Sequence, residues 1–350
     1  MAKSLIAQKT AFQHALLAWY RKHQRTLPWR TAPSLYKTVV SELMLQQTQV
    51  KTVLPYFARW LEEFPDFQSL AAASEERVLK LWEGLGYYSR ARNLHKLAQA
   101  VAAMPSPPDT PAGWQELPGI GPYTAAAIIS ISFGTQAAVV DGNVVRVLTR
   151  LSADATPFKD GTSAVKTLTP LANAVLNPEN PGDHNQAMME LGATVCHRQN
   201  PLCTVCPVLA FCGAAKSGEP EAFPVLAPKV IEQKAVTRVW CVHDGKLLLH
   251  RTAAGAKRLA NLHELPTDEH LGMTPAAFGK ATLIAKKKRG ITRFAITESI
   301  HRVPAPRGKL AEGLVWVSVT EIDTLTLSGP HRRWVTELLA ATATQAAFRA

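Results

Sequence analysis

The chain has 350 residues, 47% of them hydrophobic, which is enough for two or three domains with buried cores and too apolar for a disordered chain. Its formal charge of +12 points to a polyanionic partner, because clustered Lys and Arg displace counterions from nucleic acid, although a merely soluble basic protein would carry the same charge. The first residues lack the apolar segment and cleavage site of a secretory signal, and the most apolar window, Thr124 to Val140, is broken by Ser130, Ser132, Gly134, Thr135 and Gln136, so a cytoplasmic protein (nucleoid-associated if bacterial) without a membrane span is expected.

From about Ser4 to Gly213 the apolar residues recur at helical spacing. Leu16, Leu17, Trp19 and Tyr20 belong to the first, amphipathic helix, and Pro28 in Leu27-Pro28-Trp29-Arg30 breaks the pattern before the next. Leu35 to Thr48 is apolar almost all round, with Glu42 set among Val39, Val40, Leu43, Met44 and Leu45, so its carboxylate is expected to be buried. A structural pairing with an Arg or Lys elsewhere would explain it, and so would a functional acid. Helices are expected over Lys51 to Phe64, Ser74 to Trp82 and Ser89 to Ala103, with Ser74 and Ser89 as N-caps. Gly84-Leu85-Gly86-Tyr87-Tyr88-Ser89-Arg90 joins the last two. Its glycines, adjacent aromatics, Arg90 and Arg92 can wedge into a base stack and hold phosphate, a composition that loops without this role share.

Pro105 to Pro111 is a stiff connector into Leu117-Pro118-Gly119-Ile120-Gly121, where glycines permit a tight turn and the following helix N-terminus favours a phosphate; an ordinary helix–helix turn is the alternative, but this order followed directly by a small-residue helix is more specific than a lone Gly-x-Gly. Asp141-Gly142-Asn143 opens a helix over Val144 to Leu151, so Asp141 is either an N-cap alone or a carboxylate presented for chemistry. The next helix, Asp183 to Cys196, carries Glu190 and feeds a cysteine cluster with spacing Cys-x6-Cys-x2-Cys-x5-Cys at Cys196, Cys203, Cys206 and Cys212. Four thiolates so close together suit a zinc ion or an iron–sulfur cubane, and four protein ligands leave no open coordination position, so the role is structural, pinning a loop that holds Arg198. Cys241 stands apart. Residues 216–233 read as a Pro-bearing linker between a helical domain, 1–215, and a smaller α+β domain, 234–350. In the latter, Ala235 to His243, Lys246 to Arg251, Arg293 to His301 and Gly313 to Thr320 have strand composition, His331 to Thr344 a helical one, and Lys286-Lys287-Lys288-Arg289 reads as a solvated loop that beside nucleic acid could add phosphate contacts.

Leu27 to Arg30, Ser41 to Gln49, Gly84 to Arg92, Leu117 to Thr124, Val140 to Val144, Asn185 to Gly192 and the cysteine spacing together resemble the helix-hairpin-helix DNA glycosylases with an iron–sulfur loop, specifically the adenine DNA glycosylases of the MutY type. The resemblance covers about Trp19 to Cys212. It implies a mainly α glycosylase fold of two helical lobes, one [4Fe-4S] cluster with zinc as the alternative, and a monomer that acts on duplex DNA containing adenine opposite 8-oxoguanine or guanine. Glu42 would then be the general acid and Asp141 the carboxylate facing a cationic sugar, with Tyr123 and Asn143 supporting the site. Trp29, Arg30, Leu45 and Glu190 would line the adenine pocket. Gln47 and Tyr87 would fill the gap left by the flipped base, and Arg90, Leu117, Gly119 and Gly121 would touch DNA. Relatives resembling endonuclease III carry a lysine where this chain has Tyr123, so base removal without efficient strand cleavage is expected. An endonuclease-III-like activity on oxidised pyrimidines and a non-catalytic lesion-binding protein are the alternatives. The second domain resembles the family's Nudix-like partner-base domain. It has no Gly-x5-Glu…Arg-Glu-x-x-Glu-Glu signature, so pyrophosphate hydrolysis is not expected, and Gly290 to Thr297 departs from the family's Phe-Ser-His loop.

Overall fold

Apolar residues spaced for helices produce helices along most of the first two thirds of the chain. The computed structural model describes residues 2–256, 259–273 and 281–347, with the side chains of residues 2, 3 and 343–347 left aside. The helices in order are α1 (Ala2–Ala7), α2 (Lys9–His23), α3 (Pro28–Thr31), α4 (Leu35–Leu45), α5 (Val50–Glu63), α6 (Phe67–Ala72), α7 (Glu75–Trp82), α8 (Ser89–Ala102), α9 (Pro111–Gln115), α10 (Pro122–Phe133), α11 (Gly142–Ser152), α12 (Gly161–Val175), α13 (Pro181–Thr194) and α14 (Gly213–Lys216). The first expected helix is split at Gln8, the N-terminal flank of α2. Ser74 caps α7 by accepting from the Arg77 amide, as expected, whereas Ser89 is the first residue of α8 and not its cap. No helix among the described residues is long and apolar enough to cross a membrane.

The chain divides into two units. One comprises Met1–Ala72 and Asn93–Pro228, the other Ala73–Arg92 and Lys229–Ala350. In the first, α11 turns Val144, Val145, Val147, Leu148 and Leu151 into a core with Phe12, Leu16 and Tyr20 of α2 and Ala187, Met188 and Leu191 of α13. Full burial of each such aliphatic side chain contributes about 2 kcal/mol. The stretch after α14 stays with this unit, since Phe158 N donates to Val225 O at 2.9 Å and Ala227 N to Phe158 O at 3.0 Å.

Besides α7, the described residues of the second unit form two sheets and a closing helix. Strand β1 (Glu232–Trp240) runs parallel to β6 (Phe294–Arg302), which pairs antiparallel with β5 (Thr282–Ile291). In the other sheet β3 (Lys246–Arg251) pairs with β2 (Val242–His243), β4 (His263–Glu264) and β7 (Leu314–Ser318). Helix α15 (Gly329–Ala347) brings Trp334 and Val335 into a core with Trp240, Leu247, Leu249 and Ile300.

Lys286 to Arg289 are strand residues of β5 and not a loop. The reason is period-2 alternation with charged partners: Lys286 and Lys288 are exposed, while Lys287 pairs with Glu337 and Arg289 with the buried Glu298. Glu298 lies on the same inward face of β6 as Ile296 and Ile300, and there Arg238 also grips it at 2.7 Å. Gly290 to Thr297 forms the end of β5, the β5–β6 turn and the start of β6.

Candidate active site

Helix α4 starts at Ser34, whose side chain accepts from the Lys37 amide, and ends at Leu45 and not Thr48, because Gln47 adopts a left-handed φ of 55°. Its apolar surroundings bury Glu42 to 8% exposure. Among the described residues no basic side chain makes an ion pair with Glu42. The arginines of the preceding segment are taken up by Glu190, whose carboxylate accepts from Arg25 Nε at 2.7 Å and Arg30 Nη1 at 3.0 Å and is itself fully buried. Left without such a partner, Glu42 is pushed up to about 7, chiefly by burial; the Tyr123 hydroxyl pulls it down, the Asp141 carboxylate pushes it further up and Arg30 pulls it back. The Tyr123 phenol is held well above its ordinary range by the same burial and by both carboxylates, so it stays protonated; its hydroxyl lies 3.4 Å from Met189 Sδ.

Asp141 is the N-cap of α11. Its Oδ1 accepts from Val144 N at 2.8 Å and its Oδ2 from Asn143 Nδ2 at 2.9 Å. Burial raises its pKa above the usual aspartate value, and these two hydrogen bonds and Arg146 oppose that rise. The approach to Asp141 is clamped by Asn185, whose amide bonds Val139 N at 3.0 Å, Ala137 O at 2.8 Å and Ser130 Oγ at 2.8 Å.

Asn143 is held in turn. Arg146 Nη2 donates to its Oδ1 at 2.9 Å and to Gly192 O at 2.7 Å, while Arg146 Nε donates to Cys196 O at 2.8 Å. Gly192 leaves no room for a side chain, since a Cβ there would stand 2.6 Å from Asn143 Cβ. Gly192→Ala is therefore expected to push Asn143 away from Asp141 and to destabilise the fold by about 1–3 kcal/mol. Thermal unfolding would show this as a lowered Tm, and an unchanged Tm would contradict it.

The remaining candidates fall into groups. Trp29 is buried with its ring edge-on to Phe57, centroids 5.1 Å apart. Arg30 lies over the Tyr20 ring and bonds Gln186 Oε1 at 3.1 Å besides Glu190. Leu45 is half-buried and Gln47 exposed. In the turn before α10, Leu117 is buried, Gly119 takes φ 79° against Asn93, and Gly121 is the N-cap.

The cysteines of the metal motif line one small cavity together with Arg150, Val195, Leu202 and Leu209. Arg150 Nη1 lies 3.3 Å from Cys196 Sγ and 2.6 Å from His197 O, and its Nη2 donates to Arg198 O at 2.9 Å. Burial and then the neighbouring cysteines raise the Cys206 thiol to about 11. Among the described residues no group of three or more His, Cys, Asp or Glu side chains is arranged to hold a metal ion as it stands. The donor set still fits a thiolate-bound centre, with two arginines, Arg146 and Arg150, close enough to balance its negative charge.

Tyr87 and Arg90 belong to the second unit. Tyr87 is 42% exposed with φ 48°. Arg90 departs from the expectation of a phosphate contact. It is 7% exposed, its guanidinium donates to Leu85 O and Gly86 O at 3.2 Å, and burial lowers its pKa to about 10. The loop carbonyls and the Trp82 and Tyr87 rings, over which its guanidinium lies, hold it inward.

Sequence reasoning overlooked Arg25, Arg146, Arg150 and Gln186. Arg146 and Arg150 left a signal, two arginines four apart on a helix that is otherwise mostly apolar, Val144-Val145-Arg146-Val147-Leu148-Thr149-Arg150. Arg25 left none, because its partner is 165 positions away.

Residues 40–167 match the family described as HhH-GPD superfamily base excision DNA repair protein. A solved structure of a thermostable thymine-DNA glycosylase superposes with TM-score 0.52 at 25% identity, covering 60% of this chain and 98% of that one. The adenine DNA glycosylase of Buchnera aphidicola (subspecies Acyrthosiphon pisum, strain APS) is 36% identical over 247 residues, 69% of this chain and 70% of its own length. The human adenine DNA glycosylase is 47% identical over 230 residues, 62% of this chain but only 41% of its own length, so the chain spans less than half of that relative. The chain belongs to the adenine DNA glycosylase family.

Proposed function

We propose that the chain is a base-excision repair enzyme that hydrolyses the N-glycosidic bond of adenine mispaired with 8-oxoguanine or guanine in duplex DNA. The observation that carries this reading is Glu42: a buried carboxyl without an ion-pair partner among the described residues, raised to about 7, is a proton donor at neutral pH. Adenine leaves poorly as an anion, and Glu42 protonates it as the bond breaks. Asp141, at the positive end of α11 and bonded to Asn143 and Val144, faces the oxocarbenium-like sugar, which water then attacks. Trp29, Arg30 and Leu45 enclose the flipped base, with Glu190 holding Arg30 in place. Gln47 and Tyr87, both exposed and both in left-handed backbone, fill the vacated stack, and the backbone of Leu117 to Gly121 takes a phosphate.

Tyr123 cannot form a Schiff base, so the enzyme is monofunctional. Cys196, Cys203, Cys206 and Cys212 hold one [4Fe-4S] cluster that cross-links their loop, and a colourless, zinc-loaded protein would overturn that assignment. The second unit is a Nudix-like domain that contacts the partner base. It does so without the family's Phe-Ser-His loop, the β5–β6 turn standing nearest to that place in the chain.

The reading is tested by incubating the protein with duplexes carrying adenine opposite 8-oxoguanine, adenine opposite guanine, or an oxidised pyrimidine, with and without alkali. Adenine release with strand breakage only after alkali is expected. Release of the oxidised pyrimidine, or no adenine release, would contradict it, and a borohydride-trapped adduct in high yield would contradict the monofunctional assignment.

A further inference from the structure

In sequence, Ala73–Arg92 interrupts the helical unit, yet it belongs to the second unit, and specific bonds tie it there. The Glu83 carboxylate, 9% exposed, accepts from Arg332 Nε at 2.7 Å, from Lys80 Nζ at 2.9 Å and from Leu327 N at 3.2 Å. Lys80 Nζ also donates to Leu325 O at 2.7 Å. On the other flank of the loop the Tyr88 hydroxyl donates to Leu327 O at 2.9 Å, and Arg92 to Ala260 O. Arg332 is fixed by further bonds to Ile322 O at 3.0 Å and Asp323 Oδ1 at 3.0 Å.

Between these two anchors runs Gly84-Leu85-Gly86-Tyr87. Gly86 has φ 72° and Tyr87 φ 48°, and a side-chain-bearing residue in left-handed backbone persists only where its surroundings hold it. Gly86 O accepts from Trp82 Nε1 at 3.0 Å and Arg90 Nη2 at 3.2 Å, so the loop is tied down at its base while Tyr87 protrudes.

We propose that Arg332, acting through Glu83, and the Leu327 carbonyl, acting through Tyr88, are positioning groups by which the C-terminal unit holds the Tyr87 loop in the conformation that enters the base stack. This rests on the reading of Tyr87 as the residue that fills the gap beside a flipped adenine. Recognition of DNA by the second unit and wedging by the loop are then one mechanical operation, since Tyr87 and α15 are carried on the same body. Neither Arg332 nor Glu83 touches the reacting atoms.

The full chain carrying Arg332→Ala, Arg332→Lys, Tyr88→Phe, Tyr87→Ala, or Tyr87→Ala with Arg332→Ala provides the test. The first readout, amide hydrogen exchange, needs no activity. Arg332→Ala is expected to speed exchange of residues 84–90 at least about tenfold, with the β3 and β6 amides unchanged. The second readout is single-turnover adenine release from a duplex with adenine opposite 8-oxoguanine. There Arg332→Ala is expected to lower the rate roughly ten- to a hundredfold, as misplacement of a positioned group does. Arg332→Lys should recover part of the rate, and Arg332→Ala should bring no further loss in the Tyr87→Ala background. Unchanged exchange of residues 84–90, or a loss that multiplies with that of Tyr87→Ala, would overturn the proposal. Should Arg332→Ala fail to fold, Tyr88→Phe, which removes one oxygen, carries the same two comparisons. A wild-type chain that releases no adenine would overturn the parent reading, and the exchange result would still decide whether Arg332 anchors the loop.

Discussion

Glu42→Gln is expected to lower the single-turnover rate of adenine release by about 10²–10⁴-fold, the usual contribution of a positioned general acid. The amide fills the same space on α4 but has no proton to give at neutral pH. The same substitution should make the protein more stable in alkali. Glu42 is raised from 4.5 to about 7, so its burial is harmless below pH 4.5, where the carboxyl is neutral in folded and unfolded chains alike. As pH rises through about 7 the folded chain must hold an unsolvated charge, and the penalty grows to about 3 kcal/mol. Gln carries no such penalty. The variant's Tm should therefore match the parent's near pH 4.5 and exceed it by several degrees at pH 8, and equal Tm values at pH 8 would mean that Glu42 ionises freely.

Asp141→Asn is expected to lower the rate by at least about 10²–10³-fold, the scale on which a single preorganised electrostatic contact acts. The cap largely survives, because Asn is as good an N-cap as Asp and keeps one oxygen for Val144 N. The bond from Asn143 Nδ2 then meets an amide NH2 in place of an oxygen, a loss of about 1 kcal/mol. A large kinetic defect over a small stability defect is the signature sought; a rate within a few fold of the parent's would show that the wrong carboxylate has been assigned. The charge of Asp141 is also one of the causes that raise Glu42. Its removal makes ionisation of Glu42 easier, so any residual activity of the variant should fall off at lower pH than that of the parent.

Burial of Glu42 was legible in the sequence because Val39, Val40, Leu43, Met44 and Leu45 surround it on α4. What it pairs with was not. The competing explanation, a structural ion pair, depended on where two arginines go, and Arg25 and Arg30 go to Glu190 more than 150 residues away. Asp141 read equally as cap and as carboxylate, and the geometry explains why: one oxygen caps α11 while the other is held by Asn143, so both readings describe the same side chain. The helices were visible from periodicity, but periodicity says which face of a helix is buried and not against which core. Segment Ala73–Arg92, read as a helix, a loop and the start of the next helix, was therefore placed in the first domain, although Glu83, Tyr88 and Arg92 bond into the second unit. The Lys286 to Arg289 run misled for a different reason. Four adjacent positive charges look solvated until Glu298 and Glu337, on other elements, pair with alternate members.

The proposed catalysis requires a protonated Glu42 and an ionised Asp141 acting together at neutral pH. Its most direct measurement is the pH dependence of single-turnover adenine release from a duplex with adenine opposite 8-oxoguanine, made with the parent chain between pH 5 and 9. A rate that falls on the alkaline side with a midpoint near pH 7, where Glu42 loses its proton, and falls again toward acid as Asp141 gains one, is the predicted result. A rate that is flat or still rising from pH 7 to 9 would contradict it.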